Sequence, residues 1–226
     1  MTLSEANFLS LILSHPLRRP LYGFLKEIEA STLKKEILDC GAGGAMVPLA
    51  LFKALGYKTH GLEISDHALN LARKFCEERE INFDDLDIRK GDMRNIPFED
   101  NSLSFVYSLN TIAHLTKKDT MIAMKEIERI MKPNGLCFVN FASVDAPGCG
   151  QGRELNKGEW VMVLDDGEEV LHSFYEENEA DSYFRNFEII RKEMRAVSLP
   201  IDKGGWRGGG WQSADICYIA QKRSDR

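Results

Sequence analysis

Short apolar runs and amphipathic stretches alternate along most of the chain. Five apolar runs have the length and composition of buried strands, and the segments between several of them carry apolar residues at helical spacing. The predicted strands are residues 37–40, 58–64, 86–91, 103–109 and 136–141. The predicted helices between them are residues 47–55, a helix from Ser65 or Asp66 toward Glu80, and residues 118–131. This alternation favours right-handed βαβ crossovers and a mostly parallel sheet with helices on both faces.

The N-terminal segment predicts two short helices ahead of the first strand. Apolar residues recur at helical spacing in residues 3–13 and again in residues 20–30. Pro16 interrupts the pattern between them, and Pro20 suits the first turn of the second helix.

The last third of the chain has a different pattern. Residues 144–158 are rich in glycine and predict a loop. Two apolar runs, at 160–164 and 170–175, flank a polar turn and predict a β-hairpin. The remaining predicted elements are a helix at 176–184, strands at 187–197 and 216–221, and between these strands a glycine-rich loop at 203–211.

The most informative segment is Glu36-Ile37-Leu38-Asp39-Cys40-Gly41-Ala42-Gly43-Gly44-Ala45, a buried strand that runs through an acid into a glycine-rich turn. Such a turn lets the backbone approach a ligand closely, and the helix that follows begins with unpaired N–H groups. The spacing is not G-x-G-x-x-G, Met46 stands where a dinucleotide site needs a small residue, and no Gly-Lys-Ser/Thr follows. Because Asp39 would repel a phosphate and attract an ammonium, the segment favours a cofactor with an amino-acid end. An ordinary strand–helix turn without a ligand is the alternative.

Composition and charge restrict the possible partners. The 226 residues suit a single domain spanning 1–226, and the net charge of −6 gives no steering toward nucleic acid or an anionic membrane. The five cysteines show no C-x-x-C or Cys–His metal-ligand spacing, which is typical of a reducing compartment and predicts no metal site. No secretory leader is visible, and the apolar run at 8–13 is too short to cross a membrane. We therefore expect a cytoplasmic protein, monomeric or homodimeric.

Five landmarks, in this order, resemble the class I S-adenosylmethionine-dependent methyltransferases of the small-molecule, type 11-like kind. They are Leu38-Asp39-Cys40-Gly41-Ala42-Gly43, Gly61-Leu62-Glu63-Ile64-Ser65, Gly91-Asp92-Met93, Phe105-Val106-Tyr107-Ser108-Leu109-Asn110 and Ile130-Met131-Lys132-Pro133-Asn134-Gly135-Leu136. The resemblance covers residues 34–143 well and the final strands loosely. It implies a Rossmann-like, doubly wound α/β fold whose seven-stranded, mostly parallel sheet has an antiparallel last strand. It also implies S-adenosyl-L-methionine as the cofactor, residues 1–35 as a helical lid, and residues 144–175 as a loop and hairpin on the substrate side.

The same resemblance assigns the cofactor to residues at the carboxyl ends of neighbouring strands, where open α/β sheets bind ligands. Asp39 would meet the ammonium, Glu63 the ribose hydroxyls, and Asp92 the adenine amino group. The full set is Asp39, Gly41, Ala42, Gly43, Glu63, Ile64, Asp92, Met93, Leu109 and Asn110. In this set the glycines wrap the methionine and ribose, Ile64 lies against adenine, and Met93 supplies a backbone N–H or a packing contact. A surface neighbour of a helix cap is the alternative for Glu63, and a simple turn residue for Asp92.

The histidines supply one candidate for proton transfer. His114 follows the fourth strand, and the intrinsic pKa of a histidine suits proton removal. A loop histidine with local packing is the alternative. His172 is expected on the surface of a strand, with a position lining the substrate side as the alternative. Trp206 and Trp211 either wall a substrate pocket or cover the sheet edge.

Three functions remain open on the sequence. The first is methyl transfer to a small-molecule acceptor, which the aromatic residues of 144–175 and 203–211 favour. The second is an RNA- or protein-directed methyltransferase, which a basic patch near the pocket would favour. The third is a protein that binds S-adenosylmethionine without transferring the methyl group.

Overall fold

A computed structural model of the protein describes residues 19–163, 167–199 and 211–224. The helices are α1 (Arg19–Glu29), α2 (Leu49–Ala54), α3 (Asp66–Glu77) and α4 (Lys117–Ile130), with 3₁₀ turns at Phe83–Leu86, Ile112–His114 and Glu179–Phe184. The strands are β1 (Glu36–Cys40), β2 (Lys58–Glu63), β3 (Ile88–Lys90), β4 (Leu103–Ser108), β5 (Met131–Ser143), β6 (Arg153–Asn156), β7 (Glu159–Val163), β8 (Glu169–Tyr175), β9 (Phe187–Leu199) and β10 (Trp211–Lys222).

The central sheet is mostly parallel with an antiparallel end, as predicted. Strands β3, β2, β1, β4 and β5 are neighbours and parallel, and β10 then pairs antiparallel with both β5 and β9. These seven strands form the mostly parallel sheet that the resemblance implies. The whole sheet has ten strands, because β8, β7 and β6 extend it from the carboxyl end of β5. The predicted α/β fold is confirmed, and the expected count of seven strands is corrected to ten.

The three additional strands join the sheet at the edge where ligands are expected. β5 runs on to Ser143, beyond the end of β4, and its last two residues pair in parallel with Phe174 and Tyr175 of β8. The predicted hairpin is therefore present as β7 and β8, and its antiparallel partner β6 lies inside the segment predicted as loop. All four residues of β6 are exposed, so this strand has no apolar alternation by which the sequence could reveal it.

Several predicted boundaries shift by a few residues. The strand at 86–91 is only Ile88–Lys90, because Phe83–Leu86 form a 3₁₀ turn and Asp87 is left-handed at φ 53°. The helix predicted at 176–184 is a 3₁₀ turn over Glu179–Phe184. Ser65 caps α3 by accepting a hydrogen bond from the N–H of Ala68, which resolves the choice between Ser65 and Asp66. The helix predicted at 3–13, and all of the 203–211 loop except Trp211, lie outside the described residues.

Alternating residues of each strand point into two separate cores. Ile37, Phe105 and Phe138 face the core covered by α1, α2 and α3, whereas Leu38 and Val106 face the core covered by α4. The central strands β1 and β4 are buried at every position, as expected for a parallel sheet with helices on both faces. The structure thus leaves the carboxyl ends of the strands as the place where polar groups can meet a ligand.

Helix α1 packs on the face of the sheet and is tied to its neighbours. Phe24 lies against the rings of Tyr107 and Phe138, with centroids 6.5 and 6.1 Å apart, respectively. At the end of the helix, the Glu29 carboxylate accepts a 2.6 Å hydrogen bond from the Tyr57 hydroxyl. The predicted helix at 20–30 is therefore confirmed, while the lid formed by residues 1–35 stays a prediction.

Candidate cofactor site

The glycine-rich turn after β1 is tied to the end of β2. The N–H groups of Gly41 and Ala42 both donate to the carbonyl of Leu62, at 2.8 and 3.0 Å. Gly41 has φ 101°, and a Cβ atom there would lie 1.9 Å from the hydroxyl oxygen of Thr111. Glycine is therefore required at position 41 both for its backbone conformation and for the close approach of the loop after β4.

Gly43 and Gly44 have different roles in the same turn. A Cβ atom at Gly43 would lie 2.6 Å from both Ala68 and the Glu63 carboxylate, so Gly43 lets the carboxylate pack directly on the backbone. Gly44 has φ 102° with open space around it, so only its conformation requires glycine. The sequence interpretation picked out Gly41 and Gly43 and missed Gly44. Ala45 follows without a positive φ, which explains why alanine is tolerated there.

The Glu63 carboxylate is held in place by backbone N–H groups on two sides. Its Oε2 accepts from Gly43 at 3.0 Å, and its Oε1 accepts from Ser65 at 2.9 Å. Each carboxylate oxygen has two acceptor sites, so both can accept a further hydrogen bond. Glu63 is half-buried, and it is a neighbour of the Ser65 helix cap as well as a partner of the glycine-rich turn, so its role toward a ribose stays a prediction.

Asp39 and Ile64 flank this turn in opposite environments. Asp39 is 2% exposed, beside Gly61 and Tyr107 on the neighbouring strands. Burial raises the pKa of the adjacent Cys40 thiol far above its usual range, and the negative charge of Asp39 adds to that effect. Ile64 is 58% exposed directly after Glu63. Its exposed side chain is an apolar surface, and the resemblance implies that the adenine of the cofactor would lie against it.

Asp92 and Met93 follow β3 at the same edge. The Arg94 guanidinium pairs with both Asp92 oxygens, at 3.0 Å from Nε to Oδ1 and 2.6 Å from Nη2 to Oδ2. These side-chain hydrogen bonds hold the pKa of Asp92 below its usual range. Arg94 also reaches Asp119 at 3.2 Å, a link that the sequence interpretation missed. The Met93 side chain is buried in the α4 core, so only its backbone remains for the expected contact.

Asn110 lies in a polar network at the ends of β4, β5 and β10. Its N–H donates to Oδ1 of Asn140 at 2.7 Å, and Nδ2 of Asn140 donates to Oδ1 of Asn110, also at 2.7 Å. Nδ2 of Asn140 reaches Asp215 at 3.2 Å, and Ser213 donates to the same carboxylate. Burial raises the pKa of Asp215 despite these hydrogen bonds. The sequence interpretation missed Asn140 and Asp215, although a lone asparagine in an apolar strand is a usable signal.

His114 lies beside the hairpin, in contact with a second histidine. Its Nδ1 is 3.2 Å from the carbonyl oxygen of Leu171, and its ring centroid is 4.7 Å from that of His172. Burial lowers the pKa of His172 to about 4, and the neighbouring His114 adds to the effect. The expectation of a surface position for His172 is wrong, because folding of β8 against the 3₁₀ turn at Ile112–His114 partly buries it.

The structure gathers most of the predicted residues along one edge. The glycine-rich turn, Glu63, Ile64, Asp92 and Asn110 all follow the carboxyl ends of β1 to β4. Asp39 lies in the sheet just beneath the turn, and the side chain of Met93 points away into the core. Among the described residues, no helix is long and apolar enough to cross a bilayer, and no three His, Cys, Asp or Glu side chains form a metal-binding group.

Comparison with known proteins shows what this arrangement is similar to. Residues 38–139 match the family model described as a methyltransferase domain. The demethylmenaquinone methyltransferase of Staphylococcus haemolyticus is 32% identical over 104 residues, which is 44% of this chain and 40% of that protein. The sterol 24-C-methyltransferase of Pneumocystis carinii is 31% identical over 102 residues, 44% of this chain and 26% of that protein. The matched segment thus spans less than half of either relative.

Solved structures share the fold over most of the chain. A protein from Methanosarcina mazei, described as a SAM-dependent methyltransferase, superposes with a TM-score of 0.68 at 19% identity and covers 88% of this chain and 98% of that one. The PH0226 protein of Pyrococcus horikoshii has a TM-score of 0.66 at 18% identity, with 91% and 89% covered. Residues 38–139 therefore resemble a methyltransferase domain, and most of the chain has the fold of the class I methyltransferases, whose cofactor is S-adenosyl-L-methionine.

Proposed function

We propose that this protein transfers a methyl group from S-adenosylmethionine to a small organic acceptor. The observation that carries the proposal is the Glu63 carboxylate, fixed by the N–H groups of Gly43 and Ser65 at the end of β2. An acid at this position, with acceptor capacity remaining on both oxygens, suits the two hydroxyls of a ribose.

The other residues of the edge fit the remaining parts of the cofactor. Gly41 and Gly43 would let the backbone follow the methionine and ribose, with Ala42 between them. The negative charge of Asp39, beneath the turn, would attract the ammonium group of the cofactor. Ile64 would cover one adenine face, and Asp92 with the Met93 backbone would meet the adenine edge.

The reacting atoms would meet beside Leu109 and Asn110. S-adenosylmethionine supplies a methyl group that is already activated by its positive sulfur. The chain's own task is then to hold donor and acceptor in line, which alone lowers a barrier by roughly 7–11 kcal/mol. The backbone conformation of Asn110, with φ 59° and its N–H bound to Asn140, fixes this end of β4.

His114 is the proposed proton acceptor. In its neutral form, a proton on Nδ1 would be donated to the Leu171 carbonyl, 3.2 Å away. That tautomer leaves the lone pair of Nε2 available to an acceptor hydroxyl or amine. His114 is exposed at the edge, so an acceptor can reach it.

A small-molecule acceptor is favoured over RNA or protein. The names of the relatives specify sterols and demethylmenaquinone, which are small molecules. The net charge of −6 gives no long-range attraction for nucleic acid. The β6–β8 extension joins the sheet at the carboxyl end of β5, next to the edge where the acceptor would bind.

The proposal is tested by incubating the purified protein with S-adenosylmethionine and a metabolite library, and measuring S-adenosylhomocysteine release. We expect release above the protein-only background with a small set of related acceptors, and its loss in His114→Gln wherever the acceptor must lose a proton. Cofactor binding with no release across the library, while RNA or protein extracts give release, would reject the small-molecule assignment. Binding without release from any substrate would indicate a non-catalytic protein.

A further inference from the structure

The Asp92 carboxylate is held by Arg94, which follows it closely in the same turn. Its Oδ1 accepts from the Arg94 backbone N–H at 2.8 Å and from Nε at 3.0 Å, while its Oδ2 accepts from Nη2 at 2.6 Å. Nε also lies 3.0 Å from Oδ2. This is the two-pronged contact of a planar guanidinium with a carboxylate, which fixes the orientation of both groups.

Arg94 is anchored on its other side by the first turn of α4. Its Nη1 lies 3.2 Å from Oδ2 of Asp119. The Asp119 N–H donates to Oγ1 of Thr116, the N-cap of α4, so the backbone of Asp119 has a fixed position. The helix dipole also stabilises a carboxylate in this first turn. The guanidinium therefore connects two carboxylates, one in the loop after β3 and one on a helix that packs on the sheet.

The backbone of the loop after β3 is held in place by contacts that do not involve Arg94. The N–H of Ile96 donates to the Glu126 carboxylate of α4 at 2.8 Å. The Ile96 carbonyl accepts from Nη2 of Arg129 at 2.9 Å. Loss of the Arg94 side chain should therefore free the Asp92 carboxylate without displacing the loop that carries it.

The bonds from Arg94 leave Asp92 with little remaining acceptor capacity. Each carboxylate oxygen has two acceptor sites, and within the described part of the chain Oδ1 uses both of them on Arg94. Oδ2 keeps one site once Nε is assigned to Oδ1. The hydrogen bonds from Arg94 also lower the pKa of Asp92, so the carboxylate is ionised at neutral pH. One amino N–H fills the remaining site, whereas a purine with an oxygen in place of the amino group would turn a second acceptor toward this carboxylate.

We propose that Arg94 is a positioning residue of the adenine site, which holds the Asp92 carboxylate in an orientation that accepts the amino group of adenine and excludes a 6-oxo purine. The inference rests on the proposed function in one respect, the placement of the adenine edge at Asp92. It adds the residue that makes this contact selective. Arg94 acts through Asp92 and does not itself have to touch the cofactor.

The test compares S-adenosylhomocysteine with S-inosylhomocysteine, in which an oxygen replaces the amino group of the base. Calorimetric titration of the full chain with each compound gives the ratio of the two Kd values. The wild type should prefer the adenosyl compound by about tenfold or more, which is the scale of one hydrogen bond to a charged group.

Arg94→Gln separates positioning from a general effect on the fold. A carboxylate that is free to turn must be ordered when adenine binds, and it can also turn away from an oxo group. We therefore expect the Kd of S-adenosylhomocysteine to rise about three- to tenfold, with little change for S-inosylhomocysteine, so that the preference falls by the same factor. A variant damaged only in its fold would lose affinity for both compounds equally and keep the wild-type preference.

Arg89→Gln is the matched control. Arg89 forms the same kind of pair with Asp87, at 2.7 Å from Nε to Oδ1 and 3.1 Å from Nη2 to Oδ2, but Asp87 lies at the amino end of β3. This variant should bind both compounds as the wild type does. Arg94→Lys keeps the positive charge without the planar guanidinium and should restore only part of the preference lost in Arg94→Gln. A loss of preference in Arg89→Gln, or full preference in Arg94→Lys, would overturn the positioning role.

The outcomes for the wild type and Arg94→Gln keep this inference apart from the proposed function. No binding of either compound to the wild type would reject the cofactor site as a whole, and with it the role of Arg94. Equal binding of both compounds by the wild type would reject the placement of adenine at Asp92. A wild-type preference that survives unchanged in Arg94→Gln would overturn the role of Arg94 alone.

Discussion

Asn110 and Asn140 bind each other through two hydrogen bonds, each 2.7 Å long, across the ends of β4 and β5. One uses the backbone N–H of Asn110 and the other uses its side-chain oxygen. This pair holds Asn110 at φ 59°, a conformation that asparagine tolerates better than most residues, and connects it to Asp215 on β10. The end of the fourth strand is thus positioned by a residue 30 positions away in the chain.

Removal of Asn140 should destabilise the fold and weaken cofactor binding. Asn140 is 4% exposed, so Asn140→Ala leaves a cavity and takes the bonding partner from the Asn110 N–H. We expect a loss of roughly 2–4 kcal/mol in the free energy of unfolding by urea. Asn186→Ala is the matched control, because Asn186 forms an exposed bond to Glu128 and should change stability by less than about 0.5 kcal/mol. Equal effects of the two variants would contradict this role for Asn140.

Gly41 and Gly44 should differ in their tolerance of alanine. Both have φ near +100°, so each alanine variant has backbone strain of roughly 1–2 kcal/mol. Only at position 41 would the new Cβ also overlap Thr111, which adds roughly 1–3 kcal/mol. Urea unfolding of both variants measures the difference. Thr111→Gly should recover part of the loss in Gly41→Ala and none of the loss in Gly44→Ala, and the absence of any recovery would refute the predicted overlap.

Glu36 should make the fold sensitive to acid. Burial alone would raise the pKa of Glu36, but hydrogen bonds from Lys58, His60 and Lys34 outweigh it and lower the pKa from 4.5 to about 2. A carboxyl whose pKa is lower in the folded state stabilises the fold above its unfolded pKa. This contribution is lost as the pH falls from about 4.5 toward 2.

Urea midpoints measured between pH 2 and 7 check this assignment. The wild type should lose stability progressively below about pH 4.5. Glu36→Gln should be less stable at pH 7 and should show a shallower decline, whereas Glu77→Gln, an exposed residue of α3, should follow the wild type. A parallel decline in wild type and Glu36→Gln would show that other carboxyls cause the acid sensitivity.

His172, like Glu36, should make the fold less stable as the pH falls, but in a higher pH range. Its pKa is lowered from 6.5 to about 4, so between these values the unfolded chain binds a proton that the folded chain does not. Stability contributed by neutral His172 is therefore present above pH 6.5 and is lost as the pH falls toward 4. His172→Phe keeps a ring against His114 and Phe174 and should flatten this part of the stability curve. Proton NMR of the wild type should show His172 titrating near pH 4, and an inflection near 6.5 would contradict its burial.

Local patterns predicted the strand ends well because each signal lies within a few residues. Glu63 could be found as an acid at the end of an apolar strand, and Gly41 as part of a glycine turn. His172 and Asp215 could not be placed this way, since their burial depends on a hairpin and a strand that pack against distant segments. β6 escaped prediction for a related reason: it is exposed throughout and is held by backbone pairing with β7.

Calorimetric titration with S-adenosylmethionine and S-adenosylhomocysteine tests the central claim most directly, in the wild type and in Glu63→Ala, Glu63→Gln and Glu77→Ala. The account predicts that wild type and Glu77→Ala bind equally. Glu63→Ala should lose about 1.5–3 kcal/mol, roughly ten- to hundredfold in Kd, and Glu63→Gln less, because an amide oxygen can still accept one of the bonds. Unchanged affinity in folded Glu63→Ala, or no binding to the wild type, would contradict the site described for this chain.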